Sequence, residues 1–237
     1  MLKVNEIFGP TIQGEGKSQG KEVMFIRLAL CNLYCVWCDT PYTWNWEGTK
    51  YAHPDKYKEV NEVHPTSDQF VLNKLRSLSK SCKHIVISGG EPLVQQKALV
   101  SLLTLLRQNG YYVEIETNGT VTPIPEVFQL VMQFNCSPKL NNSGVELKHR
   151  LKPQALSALS TSGKANFKFV ISTDEDVKEI IDLVNVFKLK EVYLMAEGRT
   201  EIELDAKRIE VHSHCIANGF KFTERLHIIR WGSKRAV

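Results

Sequence analysis

Cys31, Cys35 and Cys38 fall within eight residues of a chain that holds six cysteines in 237 positions. Their spacing, three intervening residues and then two, lets one short loop wrap thiolates around a compact soft-metal centre. Only three such ligands lie together, so a further coordination position stays open. Structural zinc would want four protein ligands, usually as two separated pairs, whereas Cys82, Cys136 and Cys215 sit singly in strand-like or helical stretches. His53 is a candidate fourth ligand, although a lone loop histidine is more often ordinary surface. Zinc is therefore the minority reading, and a cluster that needs three thiolates is the better account.

Bulk properties bound the setting. With 43% hydrophobic residues the chain can bury a sizeable core, and its length suits one domain spanning 1–237, with a stretch at 41–66, rich in Trp, Tyr, Lys, Glu and Pro, read as an insertion. Thirty basic and 26 acidic residues give a net charge of +4 without long same-sign blocks, which argues against a dedicated nucleic-acid binder. No apolar run approaches the roughly 18 residues of a membrane span, and the opening MLKVNEIFGP lacks the apolar core of a signal peptide. A cytoplasmic protein with no membrane partner is expected, and a reducing compartment favours metal binding over disulfides for clustered cysteines.

The elements that must position the cysteines follow from periodicity. Residues 23–30, 84–88, 111–117, 134–137, 167–172 and 192–197 read as strands, and 67–80, 94–109, 124–133, 153–162, 174–188 and 203–218 as helices. Ser67 and Asp174 are expected N-caps, and Gly110 and Gly219 expected stops. Six alternations predict an α/β fold with a parallel sheet, open or curled into a partial barrel. The cysteine run then follows the first strand, SGGEP the second, ETNG the third and SPK the fourth, so four polar or glycine-rich motifs converge on the carboxyl ends of the strands.

A 4Fe-4S cluster on three cysteines leaves one iron free for an external chelating amino acid, and the CxxxCxxC run, with Trp37 before its last cysteine, resembles the signature of the radical S-adenosylmethionine superfamily. The fold this implies is a single-domain partial (β/α)6 barrel of the radical SAM type. VNEIFGPTIQGEG at 4–16, FIRLALCNLYCVWCDTPYTW at 25–44, ISGGEPL at 87–93, ETNGT at 116–120, SPK at 137–139 and the terminal WGSKRAV narrow the resemblance to the 7-carboxy-7-deazaguanine synthases, over nearly the whole chain. That family implies contraction of the ring of 6-carboxy-5,6,7,8-tetrahydropterin with loss of ammonia, on the route to queuosine. It also implies an electron donor such as flavodoxin or ferredoxin, a homodimer and no contact with nucleic acid.

The resemblance assigns the cluster to Cys31, Cys35 and Cys38, and magnesium to Thr40. It assigns S-adenosylmethionine to Trp37, Cys38, Asp39, Gly90, Glu116, Ser137, Pro138 and Lys139. Asp39 would support the magnesium site, and Gly89 and Gly90 would let backbone approach the methionine amino group. Ile12, Gln13, Gly14 and Glu15 suit the donor and acceptor edge of a pterin. Arg27, a cation inside an apolar strand, is expected to meet an anion such as the substrate carboxylate, with Ser88 supplying a hydroxyl beside it. Leu30, Ser88 and Ala236 stand where the family commonly has glycine, threonine and glycine. A glycyl-radical activase shares the cluster motif, and a non-catalytic zinc module predicts colourless protein.

Overall fold

The computed structural model describes residues 1–237. Nine strands form one sheet: β1 (Leu2–Ile12), β2 (Glu22–Leu28), β3 (His64–Thr66), β4 (His84–Gly89), β5 (Tyr112–Thr117), β6 (Gln133–Cys136), β7 (Ala165–Ile171), β8 (Val192–Ala196) and β9 (Lys221–Phe222). Their order is β3-β1-β2-β4-β5-β6-β7-β8-β9, and every pair from β2 to β9 is parallel. Six of these strands are those the periodicity predicts, and the two ends of the sheet do not pair, so the partial barrel stays open.

The helices are α1 (Glu59–Glu62), α2 (Asp68–Leu78), α3 (Gln96–Gln108), α4 (Pro125–Leu130), α5 (Leu147–Arg150), α6 (Pro153–Thr161), α7 (Asp174–Phe187), α8 (Glu201–Asn218) and α9 (Leu226–Trp231). Of these, α2, α3, α4, α6, α7 and α8 make the crossovers between consecutive parallel strands. Ser67 caps α2 by accepting from the Phe70 N–H, as its position predicts. At α7 the cap is Thr173 rather than Asp174: Thr173 and Asp176 form a reciprocal capping box, and Asp174 becomes the first helical residue.

Two further features depart from the sequence reading. Residues 2–12, outside the six strands that periodicity predicts, form the eleven-residue β1, antiparallel to β2. Its register shifts between Val4 and Glu6 and again between Phe8 and Thr11, so its side chains do not keep the strict alternation that advertises a strand. The 41–66 stretch packs back on the barrel: β3 extends the sheet beside β1, and buried Asn45 donates to the carbonyls of His53 (3.1 Å) and Asp55 (2.7 Å).

Strand alternation divides the sheet chemically. One face gives Val113 and Ile115 of β5, Phe134 of β6 and Phe167 and Phe169 of β7 to a core of 40 buried residues shared with the helices. The other face turns Glu114, Glu116, Gln133, Asn135, Asn166 and Lys168 inward, all on β5 to β7. The barrel lumen is therefore polar and charged, and its groups must satisfy one another.

Candidate active site

The cysteine loop leaves β2 through Leu30, whose φ of +75° lies in the left-handed region that favours glycine. Two N–H groups point at sulfur: Leu33 N–H on Cys31 Sγ at 3.4 Å and Trp44 Nε1–H on Cys38 Sγ at 3.3 Å. His53 does not reach a thiol. Its Nδ1 accepts from the Asp55 N–H (3.2 Å), which leaves the proton on Nε2 to donate to the Cys38 carbonyl at 2.9 Å, where Arg199 also donates at 3.0 Å. The histidine holds the loop from outside, which removes the fourth ligand of the zinc reading.

Burial pushes the Cys35 thiol up to about 11, and Cys31 and Cys38 rise for the same reason, so these thiols ionise only against a positive centre. The only three potential ligand atoms that all lie within 4.8 Å of one another belong to Asp174, Glu210 and His214, on the surface. The three cysteine sulfurs do not form such a close group. Together with the two N–H donors to sulfur, the donor set fits an iron–sulfur cluster.

Gly89 and Gly90 are required sterically within the chain itself. A Cβ on Gly89, at φ +138°, would sit 2.0 Å from the Leu28 carbonyl oxygen, and one on Gly90 would sit 2.2 Å from that of Leu30 and 2.8 Å from Cys31 Cβ. Gly90 N–H donates to Leu28 O at 3.1 Å and Glu91 N–H to Leu30 O at 2.8 Å, so the glycines seat the cysteine loop directly on the end of β4. Gly90→Ala is expected to abolish iron uptake, read as iron per chain after anaerobic reconstitution. Gly163→Ala, at φ +71° with nothing within 4 Å, is expected to bind iron normally.

Glu91, which sequence reasoning passed over, joins this ledge to the ETNG loop. Its buried carboxylate accepts from the N–H groups of Leu93 (3.0 Å) and Asn118 (2.6 Å) and from the Thr117 hydroxyl (2.9 Å). Burial pushes its pKa up to about 7 against those donors. Across the mouth, Lys139 Nζ donates to Ser137 Oγ at 2.9 Å and stands 5.6 Å from the centre of the Trp37 ring, whose Nε1–H donates to Asn142 O. The CVWCDT and SPK segments therefore meet.

Below lies the charged lumen. Lys168 Nζ bridges Glu15 (2.8 Å) and Glu116 (2.5 Å), and Arg225 bridges Glu15 (3.1 Å) and Asp39. Gln13 Nε2 donates to Glu114 (2.9 Å) and Glu116 (3.0 Å). Burial alone would raise Glu15, but Lys168, Arg225 and His227 outweigh it and hold its carboxyl well below the usual range. Glu116 keeps a raised pKa, because burial and the neighbouring Glu15 charge prevail over Lys168. The expected S-adenosylmethionine ligand Glu116 thus already has three protein partners, counting Asn135 at 3.1 Å. Asp39, expected behind magnesium, is engaged by Arg225.

Arg27 donates through Nε to Glu6 at 2.7 Å, lies between the rings of Phe8 and Tyr42, and gives its two Nη groups no protein acceptor. Register places Ser88 directly beside it on β4. One cavity of about 380 Å³ is lined by every sequence-predicted site residue except Pro138, together with Lys168, Arg225, His227 and the last six residues, 232–237. Lys168 carried a signal that was available: like Arg27, it is a cation inside an apolar strand, FKFVIS.

The chain matches the model of the radical SAM superfamily over residues 26–141. It is 34% identical over 238 residues to the 7-carboxy-7-deazaguanine synthase of Pyrobaculum aerophilum, covering 99% of this chain and 96% of that one. The chain belongs to the 7-carboxy-7-deazaguanine synthase family. The family's enzyme from Escherichia coli is 30% identical over 94% of this chain and 96% of its own length. A crystal structure of QueE from Escherichia coli superposes with a TM-score of 0.70 at 27% identity, covering 94% of this chain and 93% of that one. Streptococcus suis SuiB, at 15% identity and TM-score 0.53 over 83% of this chain and 47% of that one, shares the fold alone.

Proposed function

We propose that the chain converts 6-carboxy-5,6,7,8-tetrahydropterin to 7-carboxy-7-deazaguanine with loss of ammonia, as a radical SAM lyase of queuosine biosynthesis. The observation that carries this reading is convergence: three thiols suited to a cluster, the glycine ledge and a polar, charged lumen line one cavity. When bound, the cluster and S-adenosylmethionine supply the radical that removes a substrate hydrogen and later returns it.

The protein's groups bind and orient. Free Arg27 Nη groups, with the Ser88 hydroxyl beside them, suit the substrate carboxylate as a charge-assisted pair. Gln13 and Glu15, both fixed by lumen partners, offer a rigid edge for the pterin, so little side-chain freedom is lost on binding. Trp37, Ser137 and Lys139 form the wall where the cofactor's adenosine portion would lie. Thr40 lines the same cavity, with its hydroxyl 3.6 Å from Cys38 Sγ, and would give magnesium one oxygen, the rest coming from water and substrate. An electron donor such as flavodoxin or ferredoxin would approach the outer side of the cysteine loop, where exposed His149 stands 6.3 Å from Tyr34 with exposed Lys148 beside it in the chain. No helix is long and apolar enough to cross a membrane.

The test is anaerobic incubation of reconstituted protein with dithionite, S-adenosylmethionine, magnesium and 6-carboxytetrahydropterin, followed by mass spectrometry. 7-Carboxy-7-deazaguanine is expected, and its disappearance in Cys35→Ala ties the reaction to the cluster. Cofactor cleavage without that product would sink the substrate assignment and favour the activase reading.

A further inference from the structure

The 41–66 stretch, set apart in the sequence by its composition, has no task in the proposed reaction. Residues 41–57 of it are tied mainly to one another. Asn45, fully buried, donates to the carbonyls of His53 and Asp55 and accepts from the Thr49 hydroxyl (2.9 Å) and Lys56 Nζ (2.8 Å). Main-chain bonds close the knot: Tyr57 N–H donates to Asn45 O at 3.0 Å, and Glu47 N–H to Tyr57 O at 2.9 Å. What the knot holds out is Trp44. This residue is 5% exposed, and its ring meets those of Tyr51 and His53 edge to face, at 5.5 and 6.1 Å between centres. Next to it, Thr43 O accepts from the Leu30 N–H at 2.7 Å, which ties the knot to the start of the cysteine loop. So held, the indole Nε1–H points at Cys38 Sγ, 3.3 Å away. The backbone of Cys38 is fixed as well, since His53 and Arg199 both donate to its carbonyl. Of the three cysteines, Cys38 is the one whose sulfur takes a side-chain N–H.

We propose that residues 41–57 set the reduction potential of the 4Fe-4S cluster by carrying the Trp44 N–H to the sulfur of Cys38. One electron from a low-potential donor adds a negative charge that the cluster thiolates share. A hydrogen bond strengthens as its acceptor gains charge, so the indole N–H favours the reduced state over the oxidised one. The permanent charge of Arg199, on the carbonyl side of the same cysteine, acts in the same sense. Both effects ease loading of the cluster by its donor. The segment thus acts on the cofactor, and the inference stands whichever substrate the cavity takes.

Low-temperature EPR of the anaerobic, cluster-loaded protein, poised with redox mediators at the wild-type midpoint, reads the reduced fraction directly. S-adenosylmethionine and substrate are left out, because Trp44 also lines the cavity. In Trp44→Phe, which keeps an aromatic ring and loses the donor, the ratio of reduced to oxidised cluster is expected to fall about tenfold, about 59 mV for one electron. Trp37→Phe loses an indole N–H that is bonded to Asn142 O at 3.0 Å rather than to sulfur, and its ratio is expected to match wild type. An unchanged ratio in Trp44→Phe overturns the proposal. So does an equal fall in Trp37→Phe, which would make packing of the loop the cause. Should Trp44→Phe take up no iron, electron–nuclear double resonance on reduced protein carrying nitrogen-15 indoles decides the matter. A nitrogen coupling to the cluster is expected in wild type and in Trp37→Phe, and its absence from either overturns the proposal.

Discussion

Lys168→Met is expected to destabilise the cluster-free protein by roughly 3–5 kcal/mol, the usual cost of removing one partner from a buried ion pair. Methionine keeps most of the volume, so the loss is electrostatic rather than a cavity. Lys168 is only 6% exposed and holds two carboxylates at once, Glu15 at 2.8 Å and Glu116 at 2.5 Å. Glu15 keeps Arg225 and the nearby His227, whereas Glu116 keeps only the neutral donors of Gln13 and Asn135. The defect therefore falls on Glu116, and pH should reveal it. In the wild type, Glu15 is depressed below its unfolded value, so its contribution is present above about pH 4.5 and is lost as pH falls. Lys168 is raised above its unfolded value, so its contribution is constant through neutrality. Glu116 is already raised and has the opposite sign from Glu15: it costs stability as pH climbs through its folded value. Without Lys168 that value climbs further. Urea midpoints should thus show the variant's deficit growing from pH 5 to pH 8, and Glu116→Gln in the same background should recover most of it. A deficit independent of pH would mean that Glu116 is not the group left uncompensated.

The same lumen shows what a sequence can and cannot disclose. The six crossover strands and their helices were legible because apolar runs and amphipathic stretches alternate, and the site motifs were legible because each is contiguous at a strand end. Arg225 and His227, at the start of α9, meet the lumen only through the tertiary fold and no local pattern announces them, whereas Lys168 on β7 was announced by its charge inside an apolar strand. β1 was missed because its register shifts twice, and β9 because two residues make no pattern. Leu30 shows the converse: the departure from glycine was visible in the sequence, but only the left-handed φ shows what glycine would supply there. The paired glycines of SGGEP were located correctly, yet their steric neighbour, the backbone of the cysteine loop, lies some 60 residues earlier in the chain.

Removing residues 232–237 is expected to raise KM for the pterin at least tenfold, about 1.4 kcal/mol, with the affinity for S-adenosylmethionine and the melting temperature little changed. All six residues line the substrate cavity, and Ala236 takes a φ of +57° to turn the chain over its mouth. Such a tail would fray unless tied down, and Arg235 supplies the tie. Its guanidinium donates to both oxygens of Glu62 (2.8 and 3.2 Å) and lies 3.6 Å from the centre of the Tyr42 ring. An exposed ion pair alone would contribute little, but Glu62 is only 12% exposed, the contact is bidentate and the ring covers one face of the guanidinium. The tie also reaches the substrate's anchor, because Glu6 lies 3.9 Å from Arg235 Nε on one side and 2.7 Å from Arg27 Nε on the other. Loosening Arg235 therefore frees Glu6 to draw Arg27 out of line. Arg235→Ala should raise KM several-fold with a smaller change in kcat, and Arg235→Glu combined with Glu62→Arg should recover part of the loss that either reversal causes alone. Equal losses in kcat and kcat/KM would mean that the tail acts in the chemical step rather than in holding the substrate.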